Sequence, residues 1–161
     1  MTFVRDRKKS AYGIYPLDSI NFPIHYIAKD PAKVVFKPLG FDRLIPAKDV
    51  PRLHPKGRDY AHLTEGWTKY PFFIDHKENV MCMLPFTNSE DTGKVDLNTK
   101  NVFIECTGND FNNVMKALNM IVCALADMGG EIYSLELDYG DKKIISPNLE
   151  PERIKLDLNY I

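Results

Sequence analysis

The sequence predicts an α+β fold, with mixed β-sheets packed around one principal helix at about residues 111–128. Three observations predict it. Val114, Leu118, Ile121, Leu125 and Met128 recur at steps of four and three, which is one face of a helix. Seven of the eleven prolines lie between Pro16 and Pro55, a spacing that forbids long helices and suits short strands joined by turns. The run Val102-Phe103-Ile104 inside Asn101–Cys106 has the continuous apolar character of a strand covered on both faces.

In chain order, residues 1–12 read as a flexible basic lead-in, with Arg5, Arg7, Lys8 and Lys9 around a single Asp6. Its default reading is a solvated tail. The first apolar run is Ile14–Leu17, followed by short strands at Ile24–Ala28 and Val34–Pro38. Pro46 is placed to open a short helix through Val50 that Pro51 ends. Asp59–Glu65 reads as another helical turn or two. Pro71–Ile74 and Val80–Met83 form a strand pair turned at Asp75–Asn79, and a polar loop covers Thr87–Thr99. After the Asn101–Cys106 strand, Asp110 is the expected N-cap of the long helix and Gly129-Gly130 its stop. Ile132–Leu137 and Lys143–Ser146 make a hairpin around Gly140-Asp141, a pair with Gly first that suits a II′ turn. One further extended stretch is expected near Ile154–Leu158.

A length of 161 residues fits a single domain over residues 1–161, large enough to bury a core. The formal net charge of −1 argues against binding along a nucleic acid, which requires a basic stripe to displace counterions. It leaves room for a pocket that receives only the end of one. Cys82, Cys106 and Cys123 form no paired framework and read as reduced thiols in a cytoplasmic protein. No apolar run is long enough for a membrane span.

The four histidines, His25, His54, His62 and His76, show no helical ligand pair, and there is no HExxH, Cys-rich knuckle or calcium loop. Neither a Walker loop, nor GxGxxG, nor a GxSxG nucleophile motif is present. No metal and no cofactor are expected. What remains is quieter. Asn88-Ser89-Glu90 follows the apolar run Met81–Phe86, and Glu105 and Thr107 share one side of an extended strand that ends at Gly108. Gly108 lets backbone approach a ligand, and the helix after Asp110 aims amides back toward it. From the residues alone two readings stand: a loop with a helix cap, or a polar pocket at a strand end.

The same residues carry a family likeness. Arg5-Asp6-Arg7-Lys8-Lys9, Gly13-Ile14-Tyr15, Leu17-Asp18, Phe36-Lys37-Pro38-Leu39, His54-Pro55, Gly57-Arg58-Asp59-Tyr60, His62-Leu63 and Tyr70-Pro71 belong to it. Denser still are Asn88-Ser89-Glu90, Thr92-Gly93-Lys94-Val95 and Thr99 through Gly108, and Pro147-Asn148-Leu149-Glu150-Pro151 closes it. With these, nearly the whole chain resembles the editing domain of the β subunit of archaeal or eukaryotic-type phenylalanyl-tRNA synthetases, either excised or as a free-standing relative.

That resemblance implies proofreading hydrolysis of tyrosine mischarged onto the phenylalanine tRNA, with no metal and no covalent intermediate. The implied partners are the acceptor end of that tRNA, the synthetase α subunit and the remainder of the β subunit. It places Asn88 and Thr107 as holders of substrate or water. Glu105 accepts a hydrogen bond from the tyrosine hydroxyl or α-amino group, or acts as a general base. Cys82 and Phe73 become walls, beside Gly108. The sequence departs from the family at Cys82, where serine is usual, at Phe73, where an aliphatic residue is expected, and at Leu84-Pro85-Phe86-Thr87. These changes narrow and dry the pocket. The alternative is a scaffolding, tRNA-binding or aromatic amino-acid-binding module that has lost editing.

Overall fold

The protein is described by a computed structural model covering residues 10–151, 153–157 and 159. The basic cluster at 5–9 and Leu158 lie outside these residues. The chain divides into two units, one ending at Val114 and the other beginning at Met115.

In the first unit, β1 (Ser10–Pro16) pairs antiparallel with β8 (Val102–Gly108), from Ser10 opposite Gly108 to Pro16 opposite Val102. The strand thus begins inside the stretch expected to be a flexible lead-in. A four-stranded sheet runs β2 (His25–Lys29), β5 (Tyr70–Ile74), β6 (Val80–Met83) and β7 (Thr87–Asn88). A small ribbon joins β3 (Val35–Phe36) to β4 (Ile45–Pro46). All pairings described are antiparallel, as the short turns joining β5 to β6 and β6 to β7 require of those pairs.

Two apolar clusters divide the side chains of the four-stranded sheet. Phe72, Ile74, Met83 and Phe86 pack with Val34, Phe36, Ala47 and Val50. Met81 and Cys82 pack with Tyr15 and Ile20, with Phe73, Leu84, Ile24 and Phe103 against them. Strand alternation sends Phe73 away from Phe72 and Ile74. A register shift between Phe73 and Ile74 is a bulge, which lets the consecutive Met81 and Cys82 serve one cluster. The strand buried on both faces is therefore β6. The sequence had pointed to β8, but among the described residues β8 has a single strand neighbour, and Val102 is exposed.

The turn at Asp75–Asn79 forms as expected, around a buried carboxylate. Asp75 accepts from Asn21 N at 3.1 Å, Asn21 Nδ2 at 2.8 Å, Lys77 N at 2.9 Å, Asn79 N at 2.8 Å and Asn79 Nδ2 at 3.1 Å. Burial opposes its charge, but the bonds from Asn21 and Asn79 outweigh it and hold the carboxyl below its usual value. Asp75→Asn keeps the shape but replaces one accepting oxygen with an NH2 donor that faces other donors. It is expected to cost about 2 kcal/mol in urea denaturation, and a cost near zero would show that the turn does not depend on the charge.

Pro46 closes β4 and at the same time caps the short helix expected after it, a 3₁₀ turn over Ala47–Asp49 with Val50 as its C-cap. Pro51 lies in the first turn of α1 (Val50–Leu53), where no amide bond is needed, and does not end it. The expected turn at Asp59–Glu65 is split between α2 (Pro55–Tyr60) and a 3₁₀ turn at Ala61–Thr64. His54 caps α2: its Nδ1 accepts from Lys56 N at 3.1 Å while Nε2 donates to the Leu39 carbonyl at 3.2 Å. A backbone amide on one nitrogen and a carbonyl on the other leave only that tautomer.

The principal helix α3 covers Phe111–Asp127. Asp110 Oδ1 takes the Asn113 amide at 2.9 Å, as an N-cap does. At the other end, Gly129 (φ 97°) bonds back to Ala126 and Gly130 to Leu125, a Schellman stop. Its buried residues are Ala117, Leu118 and Val122, whereas Met128 is 82% exposed because the Gly129 turn has already ended the helix. In the second unit, β9 (Leu135–Asp138) pairs with β10 (Lys143–Ser146). Tyr139 N bonds Lys142 O across Gly140-Asp141, and Gly140 has φ 87° while Asp141 is not left-handed, the II′ pattern. Ile132–Ser134 and residues 153–157 form no strand.

Candidate functional site

A row of side chains crosses the four-stranded sheet: Tyr26 opposite Phe73, Phe73 opposite Cys82, and Cys82 opposite Asn88. Directly opposed residues share a face, and the Tyr26 and Phe73 rings stack with centroids 4.9 Å apart. From the β1–β8 ribbon, Tyr15 and Glu105 come to this row. Tyr15 Oη lies 3.3 Å from Asn88 Oδ1 and 3.3 Å from Glu105 Oε1, and its ring packs in the same buried cluster as Cys82.

Local sequence explains how these groups meet. Gly13 stands opposite Glu105, and a Cβ there would sit 2.5 Å from Tyr15 Oη and 2.6 Å from Glu105 Oε1. The carboxyl bends into the space that this glycine leaves. On the other side, Ser89 N bonds Met81 O, Gly93 N bonds Ser89 O and Thr92 Oγ1 donates to Val80 O. These bonds fold residues 89–93 back against β6. They bring the Gly93 carbonyl to Asn88 Nδ2 at 3.4 Å, so the amide oxygen of Asn88 faces Tyr15. A Cβ on Gly93 would stand 2.5 Å from Asn88 Cβ, which ties the glycine to the same placement.

The electrostatics follow from burial. Tyr15 is 0% and Glu105 6% exposed, and Cys82 is buried as well. Burial pushes the Glu105 carboxyl up to about 8, partly offset by its bond with Tyr15. Burial first, then the neighbouring Cys82 and Glu105, pushes the Tyr15 phenol far above its usual range. Burial and Glu105 also raise Cys82, and carry Cys106 to about 12. At neutral pH the cluster is therefore a set of uncharged hydrogen-bonding groups. Glu105 Oε2 is buried and has no hydrogen-bond partner among the described residues.

Of the residues singled out from the sequence, Asn88, Glu105, Cys82 and Phe73 are brought together. Asn88 stands on a short strand and not in a turn, because β7 completes the sheet where a loop was expected. Thr107 lies on the Glu105 side of β8, two residues farther along opposite Ala11. Gly108 sits opposite Ser10 on the reverse side of the strand and is exposed, away from the cluster. The Asn113 amide at the helix start serves the Asp110 cap and is not spare for a ligand. Tyr15, Gly13, Gly93 and Tyr26 were missed as site residues. Tyr15 reads as an ordinary apolar-run residue, and only its register opposite Phe103, two residues from Glu105, could have drawn attention to it. No metal-binding group of three or more His, Cys, Asp or Glu residues occurs among the described residues, and no helix there is long and apolar enough to cross a membrane.

No family model matches the chain. The phenylalanine–tRNA ligase β subunit of Thermococcus onnurineus is 41% identical over 161 residues, the whole of this chain and 28% of that protein. That of Pyrococcus horikoshii is 42% identical over 161 residues, 29% of its length. The Methanococcus aeolicus subunit is 42% identical over 157 residues, 28% of its length. The chain thus spans under a third of these curated relatives. The crystal structure of an N-terminal fragment of the P. horikoshii phenylalanyl-tRNA synthetase β subunit superposes with a TM-score of 0.94 at 42% identity, covering 99% of this chain and 46% of that one. From end to end, therefore, this chain is a relative of the phenylalanine–tRNA ligase β subunit, matching a segment found within its N-terminal portion.

Proposed function

We propose that this domain proofreads by hydrolysing tyrosine from mischarged phenylalanine tRNA. The observation that carries the reading is the buried Glu105 carboxyl, whose Oε2 lacks a partner beside Asn88 and the aromatic wall of Phe73. Phenylalanine and tyrosine differ by one hydroxyl. An apolar synthetic pocket rejects that addition by only about 100-fold, whereas a site with an unpaired buried polar atom holds tyrosine and is left unsatisfied by phenylalanine. Glu105 Oε2 takes the phenol, Asn88 holds substrate or water, and Thr107 orients the ester end. Water attacks the activated ester, a reaction that needs positioning and a few donors and no metal or covalent nucleophile.

In this reading the phenol comes in past Tyr26, a residue that is 58% exposed and stacks on Phe73. In the complete enzyme, the α subunit and the rest of the β subunit hold the tRNA body, so that only the acceptor end enters this near-neutral domain, in the cytoplasm where the tRNA is charged. A second reading, a scaffold that has lost editing, is favoured by the internal bonding of Tyr15 and Asn88 and by Cys82 in place of a stronger hydroxyl partner.

Deacylation of Tyr-tRNA and Phe-tRNA, both on the phenylalanine tRNA, separates the two readings. Asn88→Ala is expected to slow tyrosine release by about 100-fold in a chain that still folds, at a stability cost of about 1–2 kcal/mol for the bonds to Tyr15 and Gly93 that it removes. If neither ester is hydrolysed faster than in buffer, by the chain alone or grafted into a complete synthetase, the scaffold reading stands.

A further inference from the structure

We propose that Tyr15 is a positioning residue for specificity: its hydroxyl engages Oε1 of Glu105 and thereby leaves Oε2 as the atom that reads the substrate phenol. The inference deepens the editing function above and rests on it.

The argument begins with counting protons. Tyr15 carries one hydroxyl proton yet lies 3.3 Å from two oxygens, Asn88 Oδ1 and Glu105 Oε1. The Asn88 amide is oriented by its bond from Nδ2 to the Gly93 carbonyl, so Oδ1 can only accept. Tyr15 therefore donates to Asn88. The contact with Glu105 is then satisfied only if the carboxyl is neutral and its proton sits on Oε1, donating to Tyr15. A single chain results: Glu105 Oε1–H to Tyr15 Oη, Tyr15 O–H to Asn88 Oδ1, Asn88 N–H to the Gly93 carbonyl. Its other end is the carbonyl-like Oε2, buried and unpartnered. Such an atom accepts an O–H and gains nothing from an aromatic C–H, which is the distinction between tyrosine and phenylalanine.

The surroundings keep that chain in one state. Among the described residues, the titratable groups that interact with Glu105 are Tyr15 from β1, Tyr26 from β2, Cys82 from β6 and Cys106 beside it on β8. All four are neutral near pH 7, and no cation among them draws the proton off Oε1. When the carboxyl ionises, Tyr15 turns its O–H onto Oε1, and that charge-assisted bond favours the anion and lowers the Glu105 value against burial, so removing the hydroxyl must raise that value. Gly13 is part of the same device, since any side chain there would enter the space shared by Tyr15 Oη and Glu105 Oε1.

The test is Tyr15→Phe, which keeps the ring in the core and removes only the hydroxyl, with Gly13→Ala as a second variant that wedges the same contact apart. Thermal melts establish that each is folded. Two readouts follow: the carbon-13 NMR titration of the Glu105 carboxyl, and the ratio of tyrosyl to phenylalanyl ester hydrolysis on the same tRNA. The variants are expected to titrate Glu105 at higher pH than the parent chain. They should lower the tyrosine-to-phenylalanine ratio about tenfold, through the tyrosyl ester alone. A parent chain with no tyrosine preference overturns the editing function itself. With that preference present, an unchanged ratio or an unchanged Glu105 titration in a folded variant overturns the role of Tyr15 alone.

Discussion

Raising the pH from 4.5 to about 8 is expected to weaken this fold, and Glu105→Gln is expected to abolish most of that loss. The folded carboxyl holds its proton up to about pH 8, against an ordinary value of 4.5. In that window the folded chain retains a proton that the unfolded chain has released. Stability is therefore fully present below 4.5, falls as pH rises, and levels off once the folded carboxyl also ionises. At about 1.4 kcal/mol per unit, the window from 4.5 to about 8 is worth on the order of 5 kcal/mol. Glutamine has no proton to lose and keeps a carbonyl for the cluster.

Urea denaturation at pH 5, 6.5 and 8.5 on both proteins gives the comparison. A parent chain equally stable at all three would show that Glu105 is ionised in the fold and would remove the physical basis of the uncharged cluster around it. Two other groups frame the window. Asp75, held below its usual value, contributes stability that is lost as pH falls through the acid range. Cys82 and Cys106, both raised by burial and Glu105, add a further loss as pH climbs past the ordinary thiol value. The stability profile therefore has its maximum on the acid side of neutrality.

Gly57→Ala is expected to destabilise the protein by about 3 kcal/mol, a fall in Tm of about 10 °C. Gly57 is buried in α2, and a Cβ there would lie 2.1 Å from the Val50 carbonyl oxygen and 2.8 Å from Pro51 Cα. Both are backbone atoms of the adjoining turn, and Val50 O already accepts the His54 amide at 3.0 Å. Neither can rotate aside as a side chain would, and Pro51 stiffens the turn further. The whole of α1 would have to move, taking Val50 out of the apolar cluster with Phe72 and Phe86. Gly66→Ala is the control, because nothing lies within 4 Å of a Cβ there and its cost is confined to a left-handed φ of 79°. Equal Tm values for Gly57→Ala and the parent chain would mean that the two short helices are not in close contact in solution.

Much of the local structure was legible in the residues. Asp110 and Gly129-Gly130 bracket the helix because caps and left-handed stops are local chemistry. The hairpin at Gly140-Asp141 and the turn at Asp75–Asn79 were legible for the same reason. Reading failed where distant segments compete. Val102-Phe103-Ile104 is apolar enough for a doubly covered strand, yet that burial belongs to β6. Met128 fits the apolar period but falls beyond the helix stop. Thr87-Asn88 looks like loop because two residues are too few to show alternation, and its strand character comes entirely from pairing with Cys82 and Met83.

By itself, then, the sequence determined the α+β class, the long helix with its two ends, the hairpins, and a short set of polar residues in which Asn88 and Glu105 stand out. Only the tertiary structure decided that these two meet, 17 residues apart in the chain and on different sheets, and that Tyr15 joins them. The reason is physical. Burial gives Glu105 its proton, and burial is a property of what packs around a side chain rather than of its neighbours in sequence. The vacancy left by Gly13 acquires meaning only once the register of β1 on β8 sets it opposite that carboxyl.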